Sequence, residues 1–314
     1  NYQQENMRAF HSLSGSYWWQ VTLLIINYGI ALWLLVWWNS RVMHILAWAF
    51  FCSLNARNPI INSGADSVMR VLLFWAMFLP THIRRSIDRY NKPKPKKTNF
   101  LSRASVGFII QVASIYIRNY VVKTDAQRKV DFTATYTALS IDVFRTAFGT
   151  RLYQFPWLLK LITQFRVYLD WWWVLLFFIS RKQWRRRTIA CFAFIAVHFG
   201  MALTMKIGYF PRTCMLARVA LLPKEYWSLL LNPAKNITTQ AYRNRSYWVS
   251  LFLILCLMYI TLRNLRTTDF DKREQYFPRT LNKYWFMFRL DQYRSMFSPY
   301  PLEDDWWFVV LWTT

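Results

Sequence analysis

Long apolar blocks that alternate with clusters of basic residues constrain the fold of this chain more than any other feature. The block Trp18–Trp38 is long enough to cross a bilayer and carries paired tryptophans at both ends. A membrane-spanning helix needs about 20 mainly apolar residues, and tryptophan is enriched where such a helix leaves the bilayer. Hydrophobic residues make up 55% and aromatic residues 19% of the chain. The sequence therefore predicts an all-α fold, a multi-pass transmembrane helical bundle.

The apolar blocks predict about seven membrane spans, counting both short arms of a helical elbow. We expect a surface segment at residues 1–17, a transmembrane domain at 18–262 and an extramembrane tail at 263–314. The connections 123–156 and 208–246 contain amphipathic stretches, which we expect to form interfacial helices. The predicted spans are Trp18–Trp38, Ile45–Leu54, Val71–Leu79, Ser105–Val122, Leu158–Ser180, Thr188–Ile207 and Tyr247–Leu262.

The formal net charge of +25 arises largely from basic loops between the apolar blocks. Basic loops of membrane proteins favour the cytoplasmic side, or the matrix side in an organelle, where they face anionic headgroups. Nucleic-acid binding is the rival interpretation of so basic a chain, but long apolar spans have no use in it. We therefore expect membrane lipids, including a phospholipid such as cardiolipin, and no nucleic acid. The candidate anionic-lipid contacts are Arg84, Arg85, Arg89, Lys94, Lys96, Lys97, Arg185, Arg186 and Arg187.

A polar elbow, Asn55 to Asp66, separates two short apolar arms, Ile45–Leu54 and Val71–Leu79. Polar groups at membrane depth must be shielded by protein or water, because lipid satisfies neither backbone nor charge. We expect Arg57, Asp66 and Arg70 to form a buried polar network that locks the elbow. Ser63 or Asp66 is expected to cap the helix that restarts after the turn.

The elbow also resembles a known family. Its residues Arg57-Asn58-Pro59, Asn62 to Asp66, and Arg70 are similar to the elbow of the HTTM domain, the membrane domain related to vitamin K-dependent γ-glutamyl carboxylase. Further segments resemble the family in the same order, so that the resemblance covers roughly residues 40 to 310. These segments are Gln111 to Leu152, Phe155-Pro156-Trp157 leading to Asp170, His198 with Gly208-Tyr209-Phe210-Pro211, and the exit motif Leu290 to Pro299.

The resemblance implies a carboxylase chemistry whose key residue is missing. Family enzymes are expected to use a basic lysine in vitamin K hydroquinone oxygenation, yet no lysine lies between Val130 and Leu159. The cations there are Arg145 and Arg151, and arginine stays protonated, which makes it a poor base. We also expect the large lumenal domain of the carboxylases to be absent, because the chain stops soon after the exit motif.

Several charged or polar residues within the predicted spans are candidates for function. Arg166 and Asp170 lie four residues apart and can pair on one helix face, either at a functional site or to fix helix packing. Lys123, Arg118 and His198 are candidate lipid or quinone contacts. The alternatives are an interfacial anchor for Lys123, a snorkelling side chain for Arg118 and a satisfied core histidine for His198.

Catalytic, cofactor and metal sites are not indicated. The four cysteines and four histidines show no metal or redox spacing, and no signal peptide is visible. We expect a non-catalytic accessory or structural subunit of a larger membrane complex, with other membrane subunits as partners. An energy-transducing complex of the mitochondrial inner membrane is one such host. The alternatives are a vitamin K- or quinone-dependent carboxylase-like enzyme using Lys123 or His198, and a lipid or small-molecule transporter.

Overall fold

The computed structural model describes residues 9–36, 40–57, 62–79, 103–122, 126–172, 183–231 and 247–266. These residues form twelve α-helices and two short 3₁₀ helices, Phe10–Ser12 and Asp142–Phe144, and in this part of the chain the only strand-like feature is an isolated bridge between Arg145 and Met205. The all-α prediction is therefore confirmed. The helices are α1 Tyr17–Val36, α2 Ser40–Arg57, α3 Gly64–Ala76, α4 Arg103–Val122, α5 Ala126–Lys129, α6 Ala134–Ser140, α7 Ala147–Tyr153, α8 Pro156–Trp172, α9 Trp184–Thr204, α10 Phe210–Val219, α11 Lys224–Leu231 and α12 Tyr247–Arg266.

Two of these helices are long and apolar enough to cross a membrane, α1 and α9. The apolar part of α12, Tyr247–Leu262, coincides with the predicted last span, but it is shorter than the apolar parts of α1 and α9. The prediction of about seven spans is not confirmed. One reason is that α3 has only 13 residues, which at 1.5 Å per residue is about 20 Å, well short of the bilayer core.

The chain divides into two compact units, and the boundary falls within α4. The first unit comprises Asn1–Val112 with Leu231–Tyr293, and the second comprises Ala113–Leu230 with Arg294–Thr314. The predicted domain of residues 18–262 therefore contains parts of both units.

The first unit packs around an aromatic core on α3. Phe74 is buried and lies near the rings of Trp48 and Phe252, with centroids 6.1 and 6.4 Å away. Trp75 is fully buried, and Gly107 of α4 lies against its ring. A Cβ atom at position 107 would collide with that ring, so glycine permits the close approach of the two helices.

The second unit is organised around α9. Thr146 caps α7, its hydroxyl accepting from the backbone N–H of Gly149, and both its backbone N–H and its hydroxyl donate to carbonyls at the end of α9. After α9 the chain turns at Gly208, whose φ of 65° lies in the left-handed region that glycine adopts easily. Pro211 then lies in the first turn of α10, where a backbone N–H would have no hydrogen-bond partner within the helix, so proline is tolerated. The turn brings α10 back along α9 and creates the buried cluster described below.

Candidate functional site

A buried cluster in the second unit joins one side chain from each of α4, α9 and α10. Tyr116 of α4, His198 of α9 and Arg218 of α10 are 4%, 2% and 1% exposed. The Tyr116 hydroxyl lies 3.2 Å from His198 Nε2. Burial of three polar side chains in one place is unusual for a helical core, because each needs a partner that replaces water.

The hydrogen bonds of His198 define its tautomer. Its Nδ1 lies 2.7 Å from the carbonyl oxygen of Phe194, one turn earlier on α9. A carbonyl only accepts, so Nδ1 carries the proton. In the neutral ring Nε2 is then an acceptor, and the Tyr116 hydroxyl donates to it. These two hydrogen bonds hold the imidazole of His198 between α9 and α4.

Arg218 covers the aromatic side of the same cluster. Its guanidinium carbon lies 3.9 Å from the ring centroid of Tyr116 and 4.9 Å from that of Phe194. Such cation–π contacts strengthen when they are removed from water. The rings of Tyr116 and Phe194 also meet edge to face, 4.6 Å apart. The four side chains form one packed unit of aromatic, imidazole and guanidinium groups, which we call the Tyr116 cluster.

The Tyr116→Phe variant removes the hydroxyl and leaves the ring. We expect it to lower the free energy of unfolding by about 1–3 kcal/mol, because His198 Nε2 loses its buried donor. Chemical or thermal unfolding in detergent measures the change. The control is Tyr17→Phe on α1, which makes the same chemical change in an exposed side chain. Equal stability of both variants and the unmodified chain would show that the Tyr116 hydroxyl makes no net contribution.

A second polar group in this unit surrounds Asp170 of α8. Asp170 is 6% exposed and accepts a hydrogen bond of 2.8 Å from the Asn119 side chain of α4. Arg166 Nε lies 3.9 Å from the same carboxylate oxygen, and its Nη1 lies 3.0 Å from the sulfur of Met201 on α9. The structure thus brings Arg166 and Asp170 together as their spacing suggested. The pair links α8 to both α4 and α9.

The elbow residues of the first unit make local contacts. Ser63 is the N-cap of α3, and Asp66 accepts from both the backbone N–H and the hydroxyl of Ser63, which completes a capping box. The Asn62 side chain donates to the Asn55 carbonyl of α2 across the turn, at 2.8 Å. Arg70 is buried and contacts Ser67 at 3.4 Å. The predicted cap is confirmed.

His11 is buried, although the segment 1–17 was expected at the surface. Its side chain is 1% exposed. Its backbone N–H donates to the Ser53 hydroxyl of α2, and its Nδ1 lies 2.8 Å from the same oxygen. The Gln20 amide donates to the His11 carbonyl. These partners replace water at the backbone and at Nδ1, which favours burial of this polar residue in the core.

Burial, and then the positive charge of Arg57, lowers the pKa of His11 below its ordinary value. Arg57 therefore acts on His11, a residue outside the network predicted for the elbow. The unfolded chain gains a proton at His11 near pH 6.5, whereas the folded chain does so only at lower pH. Protonation of His11 therefore favours the unfolded chain, so the free energy of unfolding falls as the pH drops below about 6.5.

We expect the unfolding temperature to fall between about pH 7 and pH 5, and the His11→Gln variant to show a smaller fall. Thermal unfolding in detergent at several pH values tests this. His44→Gln is the matched control, since His44 lies on α2, like the Ser53 partner of His11. An unchanged pH profile in His11→Gln would contradict a protonation-linked role for this residue.

The other candidate residues lie in the first turn of α9 or outside the described residues. Arg185 stacks over Trp184 at 5.6 Å, and Arg186 donates to the Gln183 side chain at 3.3 Å. Both arginines are exposed, whereas Arg187 is half-buried. Lys123, the side chain of Arg118, the exit motif and the predicted loop contacts Arg84, Arg85, Arg89, Lys94, Lys96 and Lys97 lie outside the described residues.

Arg218 is the residue that the sequence analysis missed. It lies in a stretch interpreted as an amphipathic, interfacial helix, yet it is among the most deeply buried side chains in the described part of the chain. Its position on the same face as the buried Cys214, four residues earlier, is a signal that was present in the sequence.

Metal ligands and reactive thiols do not converge within the described ranges. No group of three or more His, Cys, Asp or Glu side chains that could hold a metal ion occurs there. The four cysteines are reduced and buried, as expected for small core residues. The side chains of the Tyr116 cluster contact one another between helices, and Asp170 likewise contacts Asn119 of another helix.

Comparisons of the chain with family models, with curated proteins and with solved structures found no match.

Proposed function

We propose that this chain is an integral membrane protein with an HTTM-like domain, and that it acts as a non-catalytic accessory subunit of a larger membrane complex. The observation that carries the proposal is the division of its helices into apolar faces that remain exposed and polar groups that are buried against one another. We propose an organellar inner membrane, such as the mitochondrial one, as the host of this complex.

The geometry of α9 supports a membrane location. Its 21 residues extend about 31 Å at 1.5 Å per residue, close to the bilayer core of about 30 Å. One end carries Trp184 with the exposed Arg185 and Arg186, and the other end is followed by Lys206 and Tyr209. Aromatic and basic residues at both ends are typical of a helix anchored at two interfaces.

The outward surface of the same helix supports a lipid or protein partner. The side chains of Ile189, Phe192, Phe199 and Leu203 are between 43% and 57% exposed. Only 22% of the apolar window of α9 and 17% of that of α1 is buried within the chain. A core helix of a soluble protein would bury most of this surface, whereas a helix in a bilayer or a subunit interface leaves it outward.

The buried polar groups support a structural rather than a catalytic role. A general base has to reach a proton of the substrate directly or through one water. His198 instead donates to the carbonyl oxygen of its own helix and accepts from Tyr116, while Asp170 accepts from Asn119. Hydrogen bonds of this kind between helices stabilise packing at membrane depth.

Native mass spectrometry of the protein, extracted gently from its own membrane, tests the proposal. We expect a mass that includes several other subunits in fixed stoichiometry. A lone monomer would overturn the accessory-subunit role. The monomer bearing a quinone-sized ligand, with quinone turnover lost in His198→Ala but retained in His44→Ala, would instead support the enzyme alternative.

A further inference from the structure

The end of α9 that carries Lys206 is joined to a group of short helices. The backbone N–H of Lys206 donates to the Phe144 carbonyl, and the N–H of Thr146 donates to the Thr204 carbonyl at 3.1 Å. Arg145 and Met205 form a bridge between the two segments. The start of α8 follows directly after α7, and the start of α10 follows directly after this bridge. The helix α7 begins at Ala147, directly after the bridge residue Arg145, so the starts of α7, α8 and α10 lie at one end of the second unit.

Large apolar side chains project outward from this end. Those most exposed are Val143 at 55%, Phe148 at 52%, Phe155 at 48%, Trp157 at 64% and Tyr209 at 70%. We call the surface formed by residues 142–160 and 205–212 the aromatic platform. Tyr153 of α7 stacks on Tyr136 of α6, with ring centroids 4.5 Å apart, and the Arg145 guanidinium also lies over the Tyr153 ring. The platform is thus a packed feature that leaves its aromatic side chains outward.

The charge of the aromatic platform is almost entirely positive. Its two segments contain five cations and a single acid, Asp142, which forms an ion pair with Arg145. The other four cations are exposed or lie at exposed positions: Arg151, Lys160, Lys206 and Arg212. Exposed aromatic rings beside cations that outnumber the acids of the same two segments match the headgroup region of a bilayer, where rings enter the acyl boundary and cations meet phosphate.

We propose that the aromatic platform binds anionic phospholipid at the surface of the membrane, with Phe148, Trp157 and Tyr209 inserted at the boundary between headgroups and acyl chains. This inference rests on the proposed membrane location of α9 and adds a lipid-binding surface to it. Continuity with α9 selects lipid over a soluble partner. When α9 fills the bilayer core, the platform at its end lies at headgroup level without any further movement.

Site-directed spin labelling in vesicles of phosphatidylcholine and phosphatidylglycerol tests the placement. Labels are attached to Phe148→Cys on the platform, to Thr150→Cys on another face of α7, and to Ala196→Cys at an exposed site near the middle of α9. The unmodified chain, with its four buried cysteines, provides the labelling blank. Relative accessibility to oxygen and to a water-soluble nickel complex gives the depth of each label.

We expect the Phe148 label about 5–10 Å below the headgroups, the Thr150 label closer to water, and the Ala196 label in the hydrocarbon core. A water-exposed Phe148 label with a buried Ala196 label would overturn the platform alone. A water-exposed Ala196 label would overturn both the membrane location of α9 and the platform that depends on it.

The charge requirement is tested with spin-labelled phosphatidylglycerol and phosphatidylcholine bound to the chain in the same vesicles. In the double variant Arg151→Gln/Lys160→Gln, we expect the preference for phosphatidylglycerol at this surface to fall, roughly fivefold for each cation removed. The charge-conserving variant Arg151→Lys/Lys160→Arg is expected to retain it. An unchanged preference in the glutamine variant would overturn the anionic-lipid specificity of the platform.

Discussion

The Gly149→Ala variant is expected to lower the free energy of unfolding by about 1–3 kcal/mol, because the new methyl group has no space. A Cβ atom at this position would collide with the Thr204 backbone oxygen and approach the Arg145 side chain to 3.1 Å. The Thr204 oxygen belongs to the backbone and accepts from Thr146, so it cannot move aside as a flexible side chain would. The helix α7 must instead shift away from the end of α9.

The matched control is Gly200→Ala, one turn earlier on α9. A Cβ atom there meets nothing within 4 Å, and alanine in a helix is more favourable than glycine by up to about 1 kcal/mol. We therefore expect the two alanine variants to change stability in opposite directions, as measured by chemical or thermal unfolding in detergent. Equal stability of the two variants would contradict close packing of α7 on α9.

Most of the long helices were predictable, because long apolar blocks in the sequence indicate them directly. The predicted span Trp18–Trp38 corresponds to α1, and Tyr247–Leu262 matches the apolar part of α12. The cap at Ser63 also followed from local chemistry, since a serine followed three residues later by an acid forms a capping box. Features set by neighbours within about four residues could be inferred from the sequence alone.

The number of spans was less predictable, because an apolar run is not the same as a spanning helix. The arm Val71–Leu79 was interpreted as one side of a crossing elbow. In the structure its residues Val71, Phe74 and Trp75 are all buried within the first unit, so its apolar character is explained by core packing. Periodicity alone does not distinguish a buried helix from one that faces lipid.

The candidate site was also predictable only in part, since local contacts follow from the sequence and long-range contacts do not. The pairing of Arg166 with Asp170 follows from a spacing of four residues, whereas the bond from Asn119 to Asp170 joins residues 51 positions apart. The contact between Arg218 and Tyr116 depends on the return of α10 along α9 after the turn at Gly208. No local sequence pattern predicts such a tertiary contact, and an arginine in an amphipathic helix ordinarily keeps its charged end at a surface.

Replacing Arg218 with alanine is expected to be among the most destabilising changes in the second unit. The side chain is 1% exposed and lies against the rings of Tyr116 and Phe194, so its truncation leaves a cavity and removes the cation–π contacts. Large-to-small substitutions in a core lower the free energy of unfolding by about 2–5 kcal/mol. Chemical or thermal unfolding in detergent, beside Arg212→Ala at an exposed position of the same helix, measures the difference.

The Arg218→Met variant separates the volume of this side chain from its charge. Methionine is unbranched and adaptable, and replacing a buried ionic group with a well-packed apolar one is often neutral. We expect it to recover most of the stability lost in the alanine variant. Stability as low as that of Arg218→Ala would mean that the guanidinium stabilises the cluster through its charge and hydrogen bonds.

The same variant also tests the proposed function. A guanidinium buried between Tyr116 and Phe194 does not reach the surface of the chain, so Arg218→Met is expected to remain in the native complex with unchanged stoichiometry. Mass spectrometry of the gently extracted complex checks this. A stable Arg218→Met protein that no longer assembles, or that loses a bound ligand, would give the Tyr116 cluster a binding role and contradict a purely structural one.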